Sequence, residues 1–184
     1  VLKHSNNLSA ELIGQVTSRT LTGRPLSIRE SAAAVANWYR RTLPTAPWDG
    51  FVCANHSGLS TGTRISPRQL AAILRYGWTV SAGIVPFPEL LTPPRWERLK
   101  GAPIPAVRAK SGTMNYADGL AGYLTAASGR QLGFAILLTD FAKRLTMDET
   151  QDVRLEAGDS ASRSWMQGAK RLERGLVRSW IARY

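Results

Sequence analysis

The order of sequence patterns predicts an α+β fold, and three observations carry it. Helical periodicities fill the first half of the chain, three strand-like runs follow in close succession, and one long amphipathic stretch closes it. Helices would therefore pack against an antiparallel sheet rather than alternate with parallel strands.

Taken in order, Leu8, Leu12, Ile13 and Val16 recur at helical spacing, and Leu21-Thr22-Gly23-Arg24-Pro25 ends that pattern. Gly14 lowers the helical propensity inside it. A second helix starts at Ser27, because Glu30 three residues later completes a capping box, and Ile28, Ala32, Val35 and Tyr39 share one stripe. Pro44 and Pro47 close it. Phe51-Val52-Cys53-Ala54 reads as a buried strand or extended segment, and the polar stretch Asn55-His56-Ser57-Gly58-Leu59-Ser60 follows. Ser66, Pro67 and Gln69 open a third helix with Leu70, Ile73 and Leu74 inside. The prolines at 86, 88, 93, 94, 103 and 105 mark an irregular surface region with one short helix around Trp96.

Residues 106–113, 120–125 and 131–139 then read as a meander, the last two strands joined by Ser128-Gly129-Arg130. In the closing helix Trp165, Ala169, Leu172, Leu176 and Trp180 form the apolar stripe that crosses the sheet, and Lys170, Arg171, Arg174 and Arg178 take other faces. Asp140, Asp148, Glu149 and Asp152 read as a solvated acidic loop.

With 184 residues, 43% of them hydrophobic, the chain holds one core rather than two comfortable domains. Its 20% of charged residues and the absence of any low-complexity tract exclude a disordered chain. Cys53 stands alone, which excludes an internal disulfide and a multi-cysteine zinc site. The net charge of +11 raises nucleic acid as a partner, but the excess is spread from Arg19 to Arg183 without a basic tract. No nucleic-acid partner is expected; a diffuse positive field suits an anionic polymer such as the cell wall. No apolar run is long enough to span a bilayer. The chain opens at Val1 with a functional motif only a few residues later, so the expectation is an internal fragment lacking the segment that precedes it.

The chemistry is concentrated in three stretches: Ser5-Asn6-Asn7, Asn55 to Ser60, and Lys110-Ser111-Gly112-Thr113. Singly, each tripeptide arises often by chance; together, and in this order, they are far more specific. Ser-x-x-Lys, Ser-Asp-Asn and Lys-Thr-Gly mark the serine β-lactamases and penicillin-binding proteins. This chain resembles that set, with Asn for Asp in the second motif and Ser for Thr in the third. It is most similar to the class C low-molecular-mass penicillin-binding proteins, D-alanyl-D-alanine carboxypeptidase/endopeptidases. Lys3 to Glu11, Ser57-Gly58-Leu59-Ser60, and Lys110 through Leu120-Ala121-Gly122-Tyr123 carry the likeness.

The resemblance implies a β-lactamase/transpeptidase-like domain of which residues 1–184 are the C-terminal portion. It also implies a serine acyl-enzyme acting on peptidoglycan stem peptides that end in D-Ala-D-Ala, and acylation by β-lactam antibiotics. No metal or cofactor is expected, and the location would be periplasmic or otherwise extracytoplasmic. Within it, Lys110 supplies a fixed positive charge. The hydroxyls of Ser111 and Thr113 bind the terminal carboxylate. Gly112 lets substrate approach the strand, and the Thr113 N–H forms half of an oxyanion hole. Ser5 relays a proton to the leaving amine, and the Asn7 carboxamide holds the acyl-side carbonyl.

No serine here is followed three places on by lysine, so the nucleophile is expected upstream, in a missing N-terminal portion of the same protein. The competing expectation is a catalytically inactive module that only binds wall peptides. His4 and His56 lack a carboxylate cluster at metal spacing, and a His56–Ser57 dyad explains the region less well than the lysine-based set. The six tryptophans read as core and groove-edge residues, with Trp38, Trp165 and Trp180 at helical core spacing; Tyr116 and Tyr123 line either the groove or the core.

Overall fold

The computed structural model describes residues 1–98, 106–150 and 160–184. They form two compact units, Val1–Val80 and Ser81–Tyr184, where length and composition predict one core. Pro103, Pro105 and Asp152 lie outside the described residues.

The first unit is helical: α1 (Asn7–Thr22), α2 (Ile28–Thr42) and α3 (Pro67–Gly77). Their starts are those the capping residues dictate. Asn6 Oδ1 accepts the Ser9 N–H at 2.8 Å, and Ser27 with Glu30 and Ser66 with Gln69 make full capping boxes. Gly23, at φ 75°, ends α1 in the left-handed conformation that glycine adopts freely, its N–H donating to the Arg19 carbonyl.

The spacing predicts α1 only through Val16 and predicts an apolar inner face. The structure extends the helix to Thr22 and turns that face outward: Leu8, Leu12, Ile13 and Val16 are all more than half exposed. The buried positions are Gly14 and Ser18, because only small side chains admit the close approach of α2 and of His56. Ser31 of α2 has its hydroxyl 2.7 Å from Ser18 Oγ and 2.8 Å from His56 Nε2. A Cβ on Gly14 would stand 2.0 Å from His56 Cγ. His56 is thus a packed, hydrogen-bonded residue.

Elsewhere in this unit Trp38, Tyr39, Trp48, Phe51 and Tyr76 form a chain of ring contacts. Gln69 Nε2 donates to the carbonyls of Pro47 and Asp49 at 2.7 and 2.9 Å. The extended segment predicted at Phe51–Ala54 makes a single antiparallel bridge, Val52 to Arg64.

The second unit begins with a short hairpin, β1 (Ser81–Ala82) and β2 (Val85–Pro86), and the small helices α4 (Phe87–Leu90) and α5 (Arg95–Arg98). Its body is the antiparallel sheet β3 (Val107–Met114), β4 (Ala117–Thr125) and β5 (Gln131–Thr139), in that spatial order. β4 starts three residues earlier than the sequence suggests. Asn115 and Tyr116 alone form the turn, with Tyr116 at φ 56°, and Asn-Tyr is not a common hairpin pair.

The helices α6 (Phe141–Thr150) and α7 (Ser160–Arg183) follow. The expected acidic loop is in part α6: Asp140 accepts the Lys143 N–H just before it, and Asp148 pairs with Arg144 at 2.6 Å. Strand register places Val107, Ala109, Leu120, Leu124, Phe134 and Ile136 on one face of the sheet. Leu176 and Trp180 of α7 pack on that face as its periodicity predicts, but Val177 joins them, and Leu172, expected in the same stripe, is half exposed because the buried line of the helix runs through Ala169, Glu173 and Val177. Gly122 is required in β4, because a Cβ there would lie 2.2 Å from the Arg108 carbonyl oxygen of β3.

The Gly14–His56 contact sets the first test. Gly14→Ala gains helical propensity but overpacks the ring, and is expected to lower unfolding free energy by about 1–3 kcal/mol in urea titration. Adding it to His56→Ala, where the ring is gone, should cost nothing further.

Candidate active site

β3 is an edge strand, and its outer side is covered at one point only among the described residues. There the Ala109 N–H donates to the Thr92 carbonyl at 3.1 Å. Main-chain groups along an antiparallel strand alternate in direction with a period of two residues. The N–H groups of Ser111 and Thr113 therefore point the same way as that of Ala109, away from β4, along the stretch beyond Thr92.

Side chains alternate as well. Ser111 and Thr113 share the face of Val107 and Ala109, whereas Lys110 and Gly112 project from the opposite face. Ser111, Gly112 and Thr113 are exposed. A Cβ on Gly112 would meet nothing within 4 Å, so nothing in the described fold requires glycine there. The Lys110 ammonium donates to the Ser111 carbonyl. Partial burial, with the charge of Lys170 added to it, holds the Lys110 pKa below its ordinary 10.5.

Behind Thr113 lies a buried ionic cluster. The Thr113 hydroxyl donates to Asp118 Oδ1 at 2.9 Å, and Lys170 of α7 donates to the same oxygen at 2.5 Å and to Glu173 Oε2 at 3.3 Å. The Asp118 side chain is 0% exposed and that of Glu173 3%. Two buried carboxylates thus share one ammonium. Burial, then the hydrogen bond and charge of Asp118, push the Glu173 carboxyl up to about 7, against the pull of Lys170. The resemblance assigns the Thr113 hydroxyl to a substrate carboxylate; in this structure its one proton is directed to Asp118.

The first motif belongs to the helical unit. Ser5, Asn6 and Asn7 are all exposed. Asn6 caps α1, a task Asp performs equally well, which accounts physically for Asn in the middle of the motif. Ser5 sits at φ 50°, a conformation that non-glycine residues seldom hold. One turn further on, the Glu11 carboxylate accepts the N–H groups of His56 and Ser57 at 3.1 and 2.9 Å, tying the Asn55–Ser60 loop to α1. Burial opposes ionisation of Glu11, but its hydrogen bonds with Ser57 and His56 bring its pKa below 4.5.

The structure therefore places Lys110 through Thr113 on one strand edge of the second unit, and Ser5 and Asn7 at the start of α1 in the first. Sequence reading missed Asp118, Lys170, Glu173 and Glu11. Charged residues on amphipathic elements read as solvated faces, and Asp118 falls outside the strand that the sequence predicts from Leu120.

A model of the D-Ala-D-Ala carboxypeptidase 3 (S13) family matches residues 1–157. The chain belongs to this family. No curated protein matches this S13 chain closely enough to be counted a relative.

Among solved structures, penicillin binding protein 4 of Haemophilus influenzae superposes with a TM-score of 0.67 at 20% identity, covering 98% of the S13 chain and 38% of the other. Its complex with a novel β-lactam gives 0.64 at 19% identity, covering 91% and 39%. The penicillin G-acylated predatory endopeptidase Bd3459 of Bdellovibrio bacteriovorus, in complex with an immunity protein, gives 0.54 at 14% identity, covering 91% and 45%. These likenesses establish the fold as transpeptidase-like, and the S13 chain spans less than half the length of each of these proteins.

The buried cluster makes a pH prediction. Between pH 4.5 and about 7 the folded Glu173 holds a proton that the unfolded chain has released, so its contribution to stability falls as pH rises through that window. Relative to the parent, Glu173→Gln should gain on the order of 2 kcal/mol between pH 4.5 and 7.5 in urea titrations. A constant difference across that range contradicts the assignment.

Proposed function

We propose that the S13 chain is the C-terminal portion of a penicillin-binding domain. The intact protein would hydrolyse D-Ala-D-Ala ends or cross-links of peptidoglycan through a serine acyl-enzyme, outside the cytoplasm. One observation carries the reading: beyond Thr92, β3 presents an ammonium, an exposed hydroxyl, a side-chain-free position and two outward N–H groups in four consecutive residues. An extended peptide added along such an edge gains main-chain hydrogen bonds, and Gly112 leaves it room.

In this reading Lys110 and the Ser111 hydroxyl take the terminal carboxylate. The Thr113 N–H is one oxyanion donor, a group typically worth about 10²–10³ in rate. Ser5 relays the proton to the leaving amine, and its left-handed backbone is the kind of local strain that functional turns hold. Asn7 orients the acyl-side carbonyl. The nucleophilic serine comes from the portion of the protein outside these residues. The outward apolar stripe of α1 supports the existence of such a portion, since it is a face that a larger domain would bury.

The lack of Ser-x-x-Lys within the chain favours a second reading, an inactive module that binds wall peptides. Labelled penicillin separates the two. The intact protein should be covalently labelled, and Lys110→Ala should abolish labelling. Ser5→Ala should slow acylation by about 10²–10⁴-fold. Labelling should decline on the alkaline side below the pH of an ordinary lysine, because the Lys110 charge is lost early. Reversible binding of a D-Ala-D-Ala peptide by an intact protein that never labels would establish the binding module instead.

A further inference from the structure

The hydroxyl of Thr113 is an exposed group held by a buried one. Its acceptor, Asp118, is itself fixed from behind by Lys170, and Lys170 is shared with Glu173. The four side chains come from three elements: β3, β4 and α7. Thr113 and Asp118 are direct cross-strand partners at the turn end of the β3–β4 pair, where the strand has least support from its neighbours. Three residues away on β3 stands Lys110, which makes no ion pair with the cluster, while Lys170 is paired with both acids.

We infer that Asp118, braced by Lys170 and Glu173, is a positioning residue that locks the Thr113 side chain against the α7 face of the sheet and so fixes the Thr113 N–H along the open edge of β3. The inference rests on the peptidase reading for its consequence in catalysis, and on geometry alone for the lock itself. A threonine whose hydroxyl donates to a fixed carboxylate has one χ1 rotamer and a restrained backbone. An oxyanion donor has to be in place before the reaction begins, and small displacements of such groups are costly in rate. The arrangement also leaves the carboxylate of a substrate to Lys110 and Ser111, because the Thr113 proton is already engaged.

The lock and its consequence are tested separately, in the intact protein that carries this chain. Thr113→Val removes the hydroxyl alone. Asp118→Leu with Lys170→Met removes the brace as a pair, and Glu173, half-protonated near neutrality, can then keep its proton so that no unpaired charge is left buried. Three-bond couplings to the Thr113 methyl should report a single rotamer in the parent and averaging in the paired variant. A single rotamer in both overturns the lock.

Penicillin acylation reads the consequence. Each variant should lower the acylation rate constant by about tenfold or more, with the dissociation constant for penicillin changed less than about twofold. The triple variant should be no slower than the slower of the two. Losses that multiply, or that appear in binding rather than rate, overturn the positioning role. A parent protein that never acylates sinks the peptidase reading and leaves the coupling measurement to decide the lock.

Discussion

An antiparallel sheet that ends in an uncovered strand has main-chain donors directed to one side, and the rest of the second unit follows from keeping that strand straight and in register. β3 is paired along its whole length to β4, which is paired along its whole length to β5. α7 fastens the apolar half of the sheet through Val177, Leu176 and Trp180, and the polar half through Lys170 and Glu173. Among the described residues, the outer edge is covered only where Thr92 meets Ala109. What is left open is the four-residue run that carries Lys110. An exposed strand edge is ordinarily a liability; here it is short, carries a charge, and is the edge along which the proposed function sets substrate.

The two halves of α7 work differently. The apolar half follows area burial, which is non-directional and tolerant of exchange among residues of similar size. The polar half is directional. Burial first, then the hydrogen bond and charge of Asp118, raise the Glu173 pKa, so that two acids can sit beside one base with one of them holding a proton. In the helical unit the directional element is again small and buried, with Ser18, Ser31 and His56 meeting over Gly14.

Much of this was legible in the sequence. Capping boxes at Ser27 and Ser66 fixed two helix starts to the residue, and β-rich runs placed three strands, because these signals are local. The third motif was recognisable for the same reason: its chemistry lies in consecutive residues. The inner face of α1 was misread because α1 and α2 meet through glycine and serine, and a hydrophobic periodicity marks whichever face must be covered, not what covers it. The brace behind Thr113 was invisible, since a lysine 52 positions from its aspartate looks like solvated surface until the sheet and helix are assembled.

Whether the open edge of β3 is a ligand edge can be seen in a crystal structure of the intact protein acylated with penicillin. The ligand's carboxylate should lie against Lys110 and Ser111, and its acyl oxygen within hydrogen-bond distance of the Thr113 N–H. An acyl adduct with no contact to residues 110–113 would contradict that role of the edge.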